Sequence, residues 1–561
     1  THGGLVVQLG ADELDTARTL SETGRFLVHI LDADDQSVSA SRQSLQKDAR
    51  YGMVWAEPLG KKPLLPYAEN MVNLVNVIDA NGISVEEIFR VLTPEGKAVF
   101  QKADSISSDA LEKAGFTHLT KTDHSLIATK PWPEEMDVWS HPRHDANGNA
   151  VSQDTLVGPP DRVRWIAAAT SEVEGLVAAG GRNFYGGILA RDSFNGLRLW
   201  HFDPGSGKTN DPDYKLRPLS RNLGRPVASA KFLFAVSKGK LVALNAATGE
   251  LVREFPDLEK PNEIITHRDM VVASDEKSIR AYSTESGKEL WKYEAAEPRN
   301  VIADNDIVTM VHGRPKRGEK SEAVALDLYS GELKWKGEFP WLDKVTRTVM
   351  HGKQLAYEVS TLNDHDDGNA IHIVSNETGV PSWDKAFAPG MNHQRQARAM
   401  FLNNDIWILH GAKLNTANKE EMKRVPVQVS ALDPQTGKTK KSHDAGMTHC
   451  FPPVATPRFV IAGELDMTDI ETGDVLANRI TKANCSRENG WVPANGLVYT
   501  TPKHCTCWPM LRGFVAMAAK PSDENHASNL PLEKLSFPVK KGSAAIDPEA
   551  AAPAETDWPL Y

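Results

Sequence analysis

The sequence predicts an α/β domain over residues 1–130, an all-β propeller over 131–519 and a linker-like tail over 520–561. Three observations carry this prediction. Strand-like and helix-like apolar patterns alternate near the start. A strand–turn–strand unit then recurs at long, regular spacing. Finally, 13 Trp accompany 40 Gly and 34 Pro, the composition of a turn-rich β protein. At about 100–200 residues per domain, 561 residues provide several independent cores.

The α/β prediction rests on elements in order. Gly4–Gly10 is a buried strand leading into a turn, Glu13–Ser21 a short helix, and Phe26–Asp32 an apolar strand ending in an acid. Pro66–Asn70 precedes the strand Met71–Ile78. A helix over Val85–Leu92 and a turn at Thr93–Gly96 then lead to the strand Lys97–Phe100.

The propeller prediction rests on turn glycines at 196, 249, 287, 331, 379, 437 and 473, spaced 36 to 58 residues apart. Each follows an alternating apolar strand, and a short strand often carrying Trp comes next, as in Ile279–Trp291, Val324–Trp335 and Ile371–Trp383. A strand-built repeat of this length is a four-stranded propeller blade. Seven turns plus the final strand Gly513–Ala518 favour eight blades, with seven as the other count.

Composition narrows the function. A net charge of −10 argues against a nucleic-acid partner, which is usually met by a basic face. No apolar run approaches the roughly 18 residues of a spanning helix, so no membrane span is expected. The four cysteines, Cys450, Cys485, Cys505 and Cys507, cluster near the end of the propeller. Two disulfides would fit an extracytoplasmic (periplasmic or secreted) setting. The chain starts at Thr1 without Met, which is expected where a leader has been removed or the piece was cut.

The segments Leu65–Val75 and Glu87–Gly96 resemble those of S-adenosylmethionine-dependent methyltransferases, which implies a Rossmann-like fold over about 100 residues. The loop after the first strand departs from that family. It reads Gly10-Ala11-Asp12-Glu13-Leu14, one glycine with two acids, where the family carries a glycine-rich loop. Asp32 stands at the ribose-binding position but also suits a plain turn. The expectation is a degenerate, non-catalytic domain without S-adenosylmethionine.

The repeats resemble the pyrroloquinoline-quinone-type propeller repeat of quinoprotein dehydrogenases and of the non-catalytic outer-membrane assembly lipoprotein. The whole chain is similar to planctomycete-type secreted proteins that fuse a methyltransferase-like domain to such a propeller. The carriers are Trp139–Ser152, Gly158–Pro160, Ala190–Gly196 and Pro493–Tyr499. Asp557–Tyr561 resembles the opening strand of a further propeller. Residues 520–556 are Pro-, Ala- and charge-rich, so the chain is expected to be part of a longer polypeptide.

The quinoprotein resemblance implies a quinone held between a Trp and an adjacent Cys–Cys disulfide. Here Thr506 separates Cys505 from Cys507, so pyrroloquinoline quinone is not expected. Three other groups are candidates. His449, Cys450, Cys485, His504, Cys505 and Cys507 could hold a soft metal, copper or zinc, or the cysteines could form two disulfides or stay free. His393, Arg395 and Arg398, with His365 among Asp364, Asp366 and Asp367, could bind a uronate or sulfate at the propeller funnel or supply a base. The Asp364–Asp367 run lacks regular calcium-loop spacing. His144 and Asp145 are expected to make a structural cross-blade contact.

The function expected is an extracytoplasmic binding or scaffold propeller within a larger multidomain protein, meeting a protein partner or further domains. One alternative is an oxidoreductase using a quinone or a metal such as copper, zinc or calcium. The second is a lyase or hydrolase acting on an anionic polysaccharide.

Overall fold

The computed structural model describes residues 2–521 except 61–63, 170–172, 174, 187, 216–223, 315–317, 361–368, 390–395, 412–426, 447–451, 479, 482–489 and 503–510. Residues 1–520 form one compact unit, and 521–561 form a second that lies almost wholly outside the described residues.

The N-terminal part is a seven-stranded mixed sheet. Its strands are β1 (Gly4–Leu9), β2 (Phe26–Asp32), β3 (Val54–Pro58), β4 (Val72–Val77), β5 (Leu92–Phe100), β6 (Thr117–Lys121) and β7 (Leu126–Thr129). Their order is β3-β2-β1-β4-β5-β7-β6. Strands β1 to β5 pair in parallel, and β7 runs antiparallel to both β5 and β6. β1 and β2 are buried almost end to end, as expected for parallel strands covered on both faces. The helices are α1 (Asp15–Glu22), α2 (Asp35–Lys47), α3 (Val85–Val91) and α4 (Ser108–Lys113). Asp34, Ser84 and Ser107 cap α2, α3 and α4 by accepting main-chain N–H groups of the first turn.

The rest is an eight-bladed propeller of one five-stranded and seven four-stranded sheets. The first strands of successive blades contact one another and therefore line the axis. The last blade is composite. Its outer strand, β8 (Pro160–Ala167), comes from the start of the propeller and pairs antiparallel with Phe514–Ala519, closing the ring non-covalently.

The repeated turn glycine and tryptophan form one joint. The indole of Trp200, on the fourth strand of blade 1, lies over Gly249 in the third turn of blade 2 and donates to the Ala246 carbonyl at 3.2 Å. A Cβ at Gly249 would sit 2.4 Å from that ring, and its φ is +76°. Only glycine meets both conditions. Trp291 over Gly331, Trp335 over Gly379 and Trp383 over Gly437 repeat the joint, and Trp165 of β8 repeats it over Gly196 across the closure.

Candidate functional site

Residues 137–154 leave the blades and run around the axis. There they hydrogen-bond to every blade in turn. Trp139 exchanges two main-chain hydrogen bonds with Ala178 of blade 1, and the Ser140 carbonyl accepts from Ala228 of blade 2. His141 Nε2 accepts from Thr266 N of blade 3 at 3.0 Å. The carbonyls of Ala146 and Asn147 accept from Ala303 of blade 4 and Met350 of blade 5. The Asn149 amide meets Phe401 of blade 6, and Ala150 and Ser152 pair with Ala455 of blade 7. The Asp137 carbonyl and the Asp154 carboxylate accept from Asn495 and Gly496 at blade 8. The inner strands would otherwise leave an unpaired backbone edge in the channel, and this segment satisfies it.

The segment's own polar groups are largely committed to this role. His144 Nε2 lies 2.7 Å from Asp137 Oδ2, so the partner of His144 is Asp137 rather than its neighbour Asp145. Burial raises the Asp137 carboxyl and the His144 contact lowers it, with a net shift below the usual carboxylate range. His141 is fully buried. Because Nε2 accepts from Thr266, the ring is the Nδ1–H tautomer, which donates to Ser140 Oγ. Burial pushes its pKa down to about 4.

Above this hub lies a cavity of about 360 Å³. Its walls are the starts of the inner strands of blades 3, 4 and 5 (Glu263–His267, Arg299–Asp304 and Val345–His351), and Arg225 approaches from blade 2. Arg143, Arg225 and Arg347 line it together with Asp145 and Glu263. Arg143 Nε donates to the Gly148 carbonyl at 2.9 Å. Its Nη1 and Arg347 Nη1 are both buried without a hydrogen-bond partner among the described residues. Burial pushes the Arg143 guanidinium down to about 10, which leaves it charged at neutral pH.

Arg398, the first residue of the blade 6 inner strand, sits beside this wall but is already used. Its Nη1 donates to Glu358 Oε2 at 2.6 Å and to Thr346 Oγ1 at 3.2 Å. Its funnel companions His393 and Arg395 lie outside the described residues, as do His365, Asp364, Asp366 and Asp367. So do His449, Cys450, Cys485, His504, Cys505 and Cys507. Among the described residues, no group of three His, Cys, Asp or Glu side chains is placed to hold a metal. Arg225 and Arg347 escaped the sequence reading because an arginine in a strand resembles a solvated one. The available signal was their position at or just before the start of an inner strand.

The residues present do not fit either organic cofactor. Asp32 accepts from Ala11 N at 2.7 Å and Asp34 N at 2.9 Å, so one carboxylate oxygen ties down the loop after β1 and the other serves its own turn. The Gln8 amide holds the carbonyls of Gly10 and Glu13, tying the loop after β1 onto the sheet. No Trp, Tyr or Phe ring lines the funnel cavity among the described residues, and Trp139 is wholly buried, so a quinone would lack a large stacking floor.

The two parts of the unit are joined by motif residues. Glu69 Oε1 accepts from Arg162 and Arg164 of β8 at 2.5 and 2.7 Å. Asn73 donates to Asp192 at 2.7 Å and accepts from Asn195 at 2.9 Å. The sequence segments Leu65–Val75 and Ala190–Gly196 thus meet each other.

The family model described as outer membrane protein assembly factor BamB matches residues 185–347. Among solved structures, a quinohemoprotein alcohol dehydrogenase from Pseudomonas putida HK5 is 12% identical, with TM-score 0.38, over 58% of this chain and 69% of that one. BamB from Moraxella catarrhalis is 10% identical, with TM-score 0.32, over 76% and 99%. The S-adenosylmethionine-dependent methyltransferase SibL is 12% identical, with TM-score 0.19, over 23% and 51%. No curated protein matches the sequence. The blade count itself rests on the strand pairing. No helix among the described residues is long and apolar enough to cross a membrane.

Proposed function

We propose that this chain is an extracytoplasmic binding module of a larger multidomain protein, with the propeller funnel as its receptor and the N-terminal domain as a non-catalytic companion. The observation that carries this reading is the hub. A loop bonded to all eight blades closes the channel beneath the cavity and makes the funnel a rigid, blind pocket, and such preorganisation favours binding. The self-tied loop at Ala11 and Asp32 supports the inactive companion. The remaining partners are a protein or further domains of the same polypeptide.

Hydrogen exchange on the full chain, with and without an oligosaccharide and peptide panel, tests the receptor. Protection at residues 141–148 and at the starts of the inner strands is expected. Saturable S-adenosylmethionine binding, or dye-coupled oxidation on adding a quinone, would sink the reading. Thiol titration of unreduced, denatured protein tests the compartment. No free thiol is expected, and four would oppose an oxidising location.

A further inference from the structure

The funnel cavity has a charge pattern of its own. Arg143, Arg225 and Arg347 bring three guanidinium groups to a space of about 360 Å³, near the lower end of small-molecule pockets. Arg143 Nη1 and Arg347 Nη1 are the informative pair, since each is buried and each lacks a partner among the described residues. A buried N–H without an acceptor costs free energy, and an uncompensated charge costs more. Glu358, the buried carboxylate beside them, is already engaged by Arg398 and by Ala399 N. A planar oxyanion presented to two forks is the acceptor that guanidinium geometry suits best.

The rest of the lining limits what that anion can be. Asp145 and Glu263 face the same space, and Asp145 is half exposed at its edge. A ligand of high negative charge would be repelled by both. Hydroxyl groups would instead donate to these carboxylates, while Asn300 adds a polar amide residue. The walls therefore call for one anionic group on a hydroxylated frame of monosaccharide size.

Building on the binding-module reading, we infer that the funnel between the hub and blades 3–5 binds a hydroxylated monocarboxylate, a uronic acid or the uronate end of a polysaccharide. Its carboxylate is received by Arg143 and Arg347, and its hydroxyls by Asp145 and Glu263. A closed floor and this volume admit a chain end, not a chain passing through.

Calorimetric titration of the full chain with methyl glucuronide, methyl glucoside and inorganic sulfate tests this directly. Methyl glucuronide should bind saturably in the millimolar range or tighter, with the glucoside and sulfate at least about tenfold weaker. Arg347→Met should weaken methyl glucuronide at least about tenfold. Because the Arg347 Nη1 has no hydrogen-bond partner among the described residues, the variant's unfolding temperature should be unchanged or higher. No uronide binding, equal binding by the variant, or sulfate binding as tight would each overturn the inference. A neutral saccharide or a peptide protecting the same walls would overturn the ligand class and leave the receptor reading standing. S-adenosylmethionine turnover would sink that reading and leave the arginine cavity intact.

Discussion

Asn149 and Phe401 lie 252 residues apart and exchange two hydrogen bonds of 2.9 Å, the side-chain amide of Asn149 meeting the main-chain N–H and C=O of Phe401. The amide thus imitates a peptide group and extends blade 6 inward by one pair. Asn149→Leu would leave both Phe401 groups buried without partners. At about 1–3 kcal/mol for each orphaned group, the loss should be about 2–6 kcal/mol. Denaturant unfolding measures it. A cost below about 1 kcal/mol would mean that the hub is not what closes the channel.

The tryptophan joint predicts that two glycine substitutions differ. Gly249 and Gly352 both have positive φ, +76° and +59°, so alanine is strained at either. That strain costs about 1–2 kcal/mol. Only at Gly249 does the new Cβ also strike the Trp200 ring, whereas Gly352 faces open space. Gly249→Ala should therefore cost clearly more than Gly352→Ala in equilibrium unfolding. Equal costs would show that the joint does not hold neighbouring blades.

The repeats were legible because seven of the eight blades write their own turn glycine, and the strand Phe26–Asp32 was legible as an apolar strand ending in an acid. Helix α2 was not, because its buried stripe is only Val38, Ser41 and Leu45 in a serine-rich segment. The hub was quoted as a motif without its meaning. Its contacts are mostly main-chain and reach partners up to 358 residues away, Asp137 to Asn495, and no local pattern records such pairings. The arginine cavity was hidden for the same reason. Arg143, Arg225 and Arg347 come from separate segments that only the closed ring brings together.

Two buried histidines set an acid limit on stability. Burial lowers His141 and His29 from 6.5 to about 4 each. In both cases the unfolded chain binds the proton more readily. Stability is therefore full above about pH 6.5 and is lost as pH falls toward 4. Each removes up to about 3 kcal/mol of stability as the pH falls to 4. His141→Gln keeps an acceptor for Thr266 N but cannot titrate. Its unfolding free energy should fall less steeply than the wild type's between pH 6.5 and 4, with the remaining slope shared by His29 and the other histidines that burial lowers, His312, His372 and His410. An unchanged slope would exclude His141 as a source of the acid loss.

The buried ion pair beside the cavity makes an opposite prediction to Arg347. The Arg398 and Glu358 side chains are 5% and 1% exposed, and Glu358 also accepts from Ala399 N. Arg398→Met strands the carboxylate, and breaking one side of such a pair costs about 3–5 kcal/mol. Replacing both partners with apolar residues should recover part of that loss. If Arg398→Met is as harmless as Arg347→Met, the Arg398–Glu358 pair does not hold this part of the fold.

The contact between the two parts of the unit decides whether they unfold together. Glu69 Oε1 receives Arg162 and Arg164, and the Arg164 side chain is 3% exposed, so Glu69→Ala leaves a nearly buried guanidinium uncompensated. Asn73→Ala removes the amide that Asp192 and Asn195 share with Leu5 N. Together these changes cut most of the polar link while leaving both hydrophobic cores intact. The wild-type chain should therefore melt in one calorimetric transition, and the double variant in two, with the smaller N-terminal sheet separating. Limited proteolysis should then find the stretch between β7 and the hub, residues 130–136, newly cleavable. A single unshifted transition in the double variant would mean that the domains are coupled by the contacts left, Asn195 to the Met71 carbonyl and Leu197 against the N-terminal core.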